Sequence, residues 1–183
     1  SRSLVKAIIK EMALDDKAYN YTTVADRISM AKNRLLTPQN YAASQAAEDV
    51  RRRVPAVKDI YVRYAARCRQ ANAMDFDDLL LNTYILFSSN EDVRKKYVDR
   101  FHYVLVDEYQ DTNFAQQSII MQLTRERQKI CVVGDDAQSI YGFRGADIDN
   151  ILNFTTAFAD ARLFKLEQNY RSTSNILNAA NAV

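Results

Sequence analysis

Two short apolar runs in this sequence stop on acids. Tyr103-Val104-Leu105-Val106 ends in Asp107-Glu108, and Ile130-Cys131-Val132-Val133 ends in Gly134-Asp135-Asp136. Acids at strand ends suit a Mg²⁺-nucleotide site. One carboxylate holds the hydrated ion on the β- and γ-phosphates, and a neighbour orients the attacking water. Adjacent residues can divide those tasks because their side chains leave a strand in different directions. The same pattern also fits an ordinary helix cap or turn.

A second constellation gathers all three glycines of the chain, Gly134, Gly142 and Gly145, into one window running from Gly134 to Ala146. A chain that uses glycine nowhere else needs unusual backbone angles or close approach there. The window also holds Gln138, Tyr141, Phe143 and Arg144. An amide, two rings and a guanidinium suit a loop with phosphate on one side and stacked bases on the other. A tight loop whose rings plug a core is the plainer alternative. A third cluster, Gln168-Asn169-Tyr170-Arg171-Ser172, follows the run Leu163-Phe164-Lys165-Leu166. An arginine there can reach a γ-phosphate and a tyrosine can stack on a purine; a surface turn leading into a helix fits equally well.

These residues need elements to position them. After Met74 the pattern reads strand, helix, strand, helix, strand, with apolar runs at 103–106, 130–133 and 163–166 and helical patterns from Phe114 to Leu123 and from Ile148 to Phe158. Continuous apolar strands separated by helices predict an α/β fold with a parallel sheet covered by helices, and ligands bind such sheets at the carboxyl ends of the strands. Asp75 is placed to cap a helix through Leu79, Leu80 and Ile85, Asn90 to cap a second ending near Arg100, and Ser172 or Thr173 to cap the last.

Residues 1–73 read differently. Val24, Ile28, Ala31 and Leu35 recur at helical steps after the cap-like pair Thr22-Thr23. Thr37-Pro38 opens another helix through Ala47. Beyond Pro55, Val57, Ile60, Tyr61, Tyr64, Ala65 and Cys68 trace one apolar stripe. With no β-patterned run, this is an all-helical unit, and the domains read as 1–73 and 74–183.

The chain has 183 residues, 48% apolar and 26% charged, which describes a folded chain with room for one sizeable core or two small units. The net charge of +2 conceals an asymmetry: residues 1–73 hold 14 Lys/Arg against 7 Asp/Glu, and residues 74–183 hold 11 against 16. A basic half beside an acidic half suggests a polyanion on one side, or simply solvated helix faces. No run approaches the ~18 apolar residues of a membrane span. No signal-peptide pattern opens the chain, so a cytoplasmic location is expected. Cys68 and Cys131 lack metal-ligand spacing and read as reduced core cysteines. His102, the only histidine, reads as a packing or surface residue.

Asp75-Phe76-Asp77-Asp78-Leu79-Leu80, Val106-Asp107-Glu108-Tyr109-Gln110-Asp111-Thr112, the Gly134–Ala146 window and Leu166-Glu167-Gln168-Asn169-Tyr170-Arg171-Ser172-Thr173 stand in the order and spacing seen in UvrD/Rep-like superfamily 1 DNA helicases. Residues 1–73 resemble the helical 1B insertion of that family, and 74–183 part of its RecA-like 1A motor domain. The resemblance implies ATP and Mg²⁺ as cofactors, single-stranded DNA and duplex junctions as partners, and 3′-to-5′ translocation with unwinding. By the same resemblance, Asp107 would hold Mg²⁺ through water and Glu108 would polarise the hydrolytic water. Gln138 would sense the γ-phosphate, Tyr141 and Phe143 would stack on bases, and Arg144 would support the strand. Tyr170 would stack on adenine and Arg171 would contact the γ-phosphate. Phe143 and Tyr109 depart from the tryptophan and phenylalanine common in the family; a π-face remains at each.

The phosphate-cradling pattern Gly-x-x-x-x-Gly-Lys-Ser/Thr is absent, since no glycine precedes Gly134 and no Gly-Lys pair occurs. The chain is therefore expected to be a segment of a longer polypeptide, missing N-terminal and C-terminal parts, and to hydrolyse no ATP alone. In the family's fold the strand before that loop lies between the strands ending near Val133 and Leu166. Its absence predicts open sheet edges and self-association through them. The motor of a helicase–nuclease, or a nucleotide-gated DNA-binding module without unwinding, are the competing functions. Arg51, Arg52, Arg53 and Arg63 are candidate contacts to a DNA backbone.

Overall fold

The computed structural model describes residues 1–139 and 145–182. They form two compact units, Ser1–Leu152 and Asn153–Val183. This division follows a different line from the composition boundary at 73/74.

The larger unit opens with four helices: α1 (Arg2–Glu11), α2 (Tyr21–Asn33), α3 (Pro38–Arg51) and α4 (Val57–Gln70). Their apolar stripes meet in a core containing Val5, Ile8, Val24, Ile28, Ile60 and Tyr61. The tyrosines bury their rings and find partners for their hydroxyls, as buried phenols must. Tyr61 donates to the Leu36 carbonyl at 2.9 Å, and Tyr41 to Asp49 at 2.8 Å. Burial pushes both phenols above their ordinary range.

Caps define these helices. Thr37 accepts from the Asn40 amide at 3.3 Å with Pro38 in the first turn, as expected. Asn20, not the Thr22-Thr23 pair, opens α2: its side chain accepts from the amides of both threonines. A carboxamide one position before the helix reaches those amides more directly than hydroxyls already inside it. All four helices close in the same way, with a left-handed residue after the cap: Ala13, Leu35, Arg53 and Asn72, at φ of 52°, 60°, 60° and 47°. The following amide then bonds back to a carbonyl five residues earlier, as in Leu36 to Ala31 at 2.9 Å and Val54 to Asp49 at 2.8 Å. This is a Schellman closure built without glycine.

Helix α5 (Phe76–Ser89) joins the helical layer to the strands, packing on both α2 and α7 (Phe114–Thr124). Asp75 caps α5 in a reciprocal box with Asp78. Lys32, 1% exposed, holds both acids, at 2.7 Å from Asp75 and 2.6 Å from Asp78. Its ammonium also lies 4.8 Å from the centroid of the Tyr64 ring, and Tyr64 donates to Asp75 at 2.7 Å. Helix α6 (Glu91–Arg100) follows, but Asn90 does not cap it. The Asn90 amide instead donates to the Leu86 carbonyl, closing α5 behind it.

Strands β1 (Val104–Val106) and β2 (Ile130–Val132) pair in parallel, Val104 with Ile130, Leu105 with Cys131 and Val106 with Val132, and α7 makes the crossover. One face of the pair is half-buried; the other, carrying Leu105 and Cys131, is exposed. Cys131 is thus a surface thiol rather than a core residue, because the two-residue period sends it to the same side as Leu105. Helix α8 (Asp149–Leu152) ends this unit.

The smaller unit contains α9 (Phe154–Ala157) and α10 (Ser174–Asn181). The helix expected from Ile148 to Phe158 is thus two short pieces, α8 and α9, with Asn153 between them in a non-helical conformation. The third strand expected at Leu163–Leu166 is not formed, and Leu163, Phe164 and Leu166 are 75%, 78% and 90% exposed. A single extended run has no ladder to hold it. The expected parallel sheet is therefore a strand pair. Among the described residues no helix is long and apolar enough to cross a membrane.

Candidate nucleotide site at the ends of the strand pair

β1 delivers Asp107 and Glu108 at its carboxyl end, and β2 delivers Gly134 and Asp135 beside them. Two bonds continue the ladder past the strands. Val133 donates to the Val106 carbonyl at 2.8 Å, and Tyr109 donates to the Val133 carbonyl at 2.9 Å. Between them the chain turns sharply. Glu108 adopts φ 48° and ψ 46°, a left-handed conformation that costs a non-glycine residue on the order of 1 kcal/mol. Its amide donates to Asp107 Oδ1 at 2.9 Å. The turn separates the two carboxylates, and both residues are exposed beside a concavity of about 490 Å³ lined by Leu80, Asp111, Thr112 and Ile120 among others.

Beneath the acids the segment is fixed by burial. Tyr109 is fully buried, which raises its phenol above the usual range, and its hydroxyl is bonded to Gln117. Gln110 is 1% exposed. Its Nε2 donates to Glu108 Oε2 at 2.8 Å, and its Oε1 accepts the Asp135 amide at 3.0 Å. Asn113 caps α7 in a reciprocal box with Gln116 and donates to Asn33 Oδ1 at 2.6 Å; Asn33 donates to Asp77 at 3.0 Å.

The glycine window is anchored at both described ends. At its entry, a Cβ on Gly134 would stand 2.6 Å from Gln110 Oε1 and 2.8 Å from Ile151 Cδ1, so close approach explains this glycine. At its exit, Asp147 donates to the Thr112 carbonyl at 3.0 Å, and Asn113 pairs with Ala146 as an isolated bridge. Gly145 sits at φ 77°, the left-handed region glycine favours. Asp135 and Asp136 serve as turn caps, each accepting the Ala137 amide at 3.1 Å. Gln138, exposed, donates to Asp135 Oδ2 at 2.9 Å. Tyr141, Phe143 and Arg144 lie outside the described residues.

Glu108 and Gln138 are thus linked through Gln110 and Asp135, with Asp107 next to Glu108 in the chain. Tyr170 and Arg171 belong to the smaller unit, on an exposed turn where Asn169 Oδ1 accepts the Arg171 amide at 2.9 Å and the Ser172 amide at 3.0 Å. This is the surface turn left open by the sequence. Gln110, quoted in the motif, received no role from the sequence; a glutamine two residues after an acid pair gives no sign of burial.

The profile of the UvrD/REP helicase N-terminal domain matches residues 1–159. The chain belongs to the UvrD/Rep helicase family. Among curated relatives, the ATP-dependent DNA helicase PcrA of Leuconostoc citreum is 46% identical over 182 residues, and PcrA of Bacillus subtilis is 44% identical over 181. ATP-dependent DNA helicase UvrD1 of Mycobacterium bovis is 43% identical over 192 aligned positions. Each match covers 99–100% of this chain but 24% of the relative, so this UvrD/Rep chain spans about a quarter of their length.

The acid pair is of the chemical type that can meet a Mg²⁺-nucleotide. Asp107 offers one exposed carboxylate at the strand end. A single carboxylate is compatible with Mg²⁺, which keeps several waters and draws its other ligands from phosphates.

Proposed function

We propose that this chain is part of the motor of an ATP-dependent DNA helicase that translocates 3′ to 5′ on single-stranded DNA and opens duplexes. The observation that supports it is the left-handed turn at Glu108 at the end of a parallel strand, with the Glu108 carboxylate tied through Gln110 to the entry of the glycine window. Bound Mg²⁺ would neutralise charge on the β- and γ-phosphates. Asp107 would hold that ion through water. Glu108 would accept the proton of the attacking water at Oε1, the oxygen free of hydrogen bonds among the described residues, while Oε2 stays on Gln110. Gln138, two bonds from Gln110, would respond to the γ-phosphate. Tyr170 would stack on adenine and Arg171 would stabilise the transferring phosphoryl group. Tyr141 and Phe143 would stack on unpaired bases, worth ~1–3 kcal/mol per base, with Arg144 beside them.

The domains assigned are a 1B-like helical subdomain over 1–73 and a partial 1A motor domain over 74–183. The segment alone is inactive because it lacks the glycine-lysine loop, and its open strand edges favour self-association. In full-length protein, Glu108→Gln abolishes DNA-stimulated ATP hydrolysis while single-stranded DNA binding survives. ATP turnover unaffected by Glu108→Gln, or indifferent to DNA in the unaltered protein, refutes the motor reading and favours a nucleotide-gated binding module.

A further inference from the structure

The Gln110 carboxamide touches both strand ends, and its orientation is fixed by chemistry. The Asp135 amide can only donate, so it faces Oε1; the Glu108 carboxylate can only accept, so it faces Nε2. The group is 1% exposed and rigid across its plane, so neither bond is exchanged for water without moving the other. Gly134 is shaped around it, since a side chain there would stand 2.6 Å from Oε1. Asp135 in turn holds Gln138 at 2.9 Å, which completes a line of three hydrogen bonds, Glu108–Gln110–Asp135–Gln138.

We infer that Gln110 is a positioning residue that ties the orientation of the Glu108 carboxylate to the entry of the glycine window, so that displacement of Gln138 and Asp135 by a triphosphate is transmitted to the catalytic base. This rests on Glu108 being that base. The planar amide works as a two-ended strut: its N–H end fixes one carboxylate oxygen and leaves the other for water, and its carbonyl end follows the loop.

The two ends are separable by substitution. Gln110→Met keeps length and removes both bonds. Gln110→Glu keeps an acceptor for Asp135 but turns the other end into a second carboxylate facing Glu108. In nucleotide-free full-length protein, hydrogen exchange at the Asp135 amide rises about ten-fold in Gln110→Met, the effect of one lost hydrogen bond, and stays within about two-fold of the parent in Gln110→Glu. In DNA-stimulated ATP hydrolysis both variants lose about ten-fold or more in kcat with KM changed by less than about two-fold. Adding Gln138→Ala to Gln110→Met costs less than the product of the two single losses, because both lie on one line. Unchanged Asp135 exchange in Gln110→Met, or parental kcat in Gln110→Glu, overturns the coupling. If Glu108→Gln abolishes turnover while Gln110→Glu does not lower it, the coupling fails and the motor reading stands; if Glu108→Gln retains turnover, the base assignment itself fails.

Discussion

Gly134 shows how much of the site depends on a missing atom. Its neighbours leave no space for a methyl group: Gln110 Oε1 at 2.6 Å, Ile151 Cδ1 at 2.8 Å and the Tyr109 amide at 3.3 Å. The Ile151 methyl can rotate aside, but Gln110 is held at both ends. Gly134→Ala is expected to destabilise the folded chain by about 1–3 kcal/mol, measured by urea denaturation, through overpacking. At this scale the sequence was informative in an uneven way. The position of the acid pair at a strand end was legible from the apolar run before it, although the same pattern fits a cap or turn, and the glycine cluster stood out because the chain has no glycine elsewhere. Gln110 was not legible, since an amide's role depends on what lies across the sheet. The acids Asp135 and Asp136 looked like Asp107 and Glu108 in sequence, yet both accept the Ala137 amide, and Asp135 also accepts from Gln138.

Among the elements, starts were easier to read than ends. Thr37-Pro38 and Asp75 announce helices through side-chain oxygens that must meet free amides. The ends of α1 to α3 carry no such mark, because Ala13, Leu35 and Arg53 occupy positions where glycine is the usual signal; only α4 ends on an asparagine, Asn72, the other residue that takes this conformation readily. Each accepts left-handed strain of ~1 kcal/mol in exchange for the closing bonds. Ala13, exposed and without a side-chain partner to lose, offers the simplest relief. Ala13→Gly is expected to stabilise the chain by about 0.5–1 kcal/mol, seen as a higher denaturation midpoint at unchanged slope. The third strand misled for the opposite reason: Leu163-Phe164-Lys165-Leu166 has strand composition, but a strand is a relation between two segments, and composition reports only one.

For the whole molecule, the junction of helices and strands turns on Lys32. The ammonium is enclosed by Asp75, Asp78 and the Tyr64 ring. Removing it leaves two carboxylates facing each other at the start of α5, so Lys32→Met is expected to cost about 3 kcal/mol in denaturation experiments. Burial raises the Asp75 carboxyl, but Lys32, the Tyr64 hydroxyl and the Asp78 amide outweigh it and hold the group below its ordinary value. A carboxyl lowered by folding stabilises the fold above its unfolded value of about 4 and loses that contribution as pH falls through the folded value. Stability of the parent should therefore decline below about pH 4 more steeply than that of Asp75→Asn. A decline of equal steepness in both would place the acid sensitivity elsewhere.

The partners of Lys32 lie 43 residues further along the chain at Asp75, and beyond it at Asp78. As the polypeptide leaves the ribosome, α1 to α4 therefore emerge before the counter-charges for their innermost amine. The four helices are complete in sequence by Gln70, but the start of α5 must also emerge before Lys32 can go inside as a paired ion. The order of synthesis thus makes the settling of the helical layer wait for the first turn of α5.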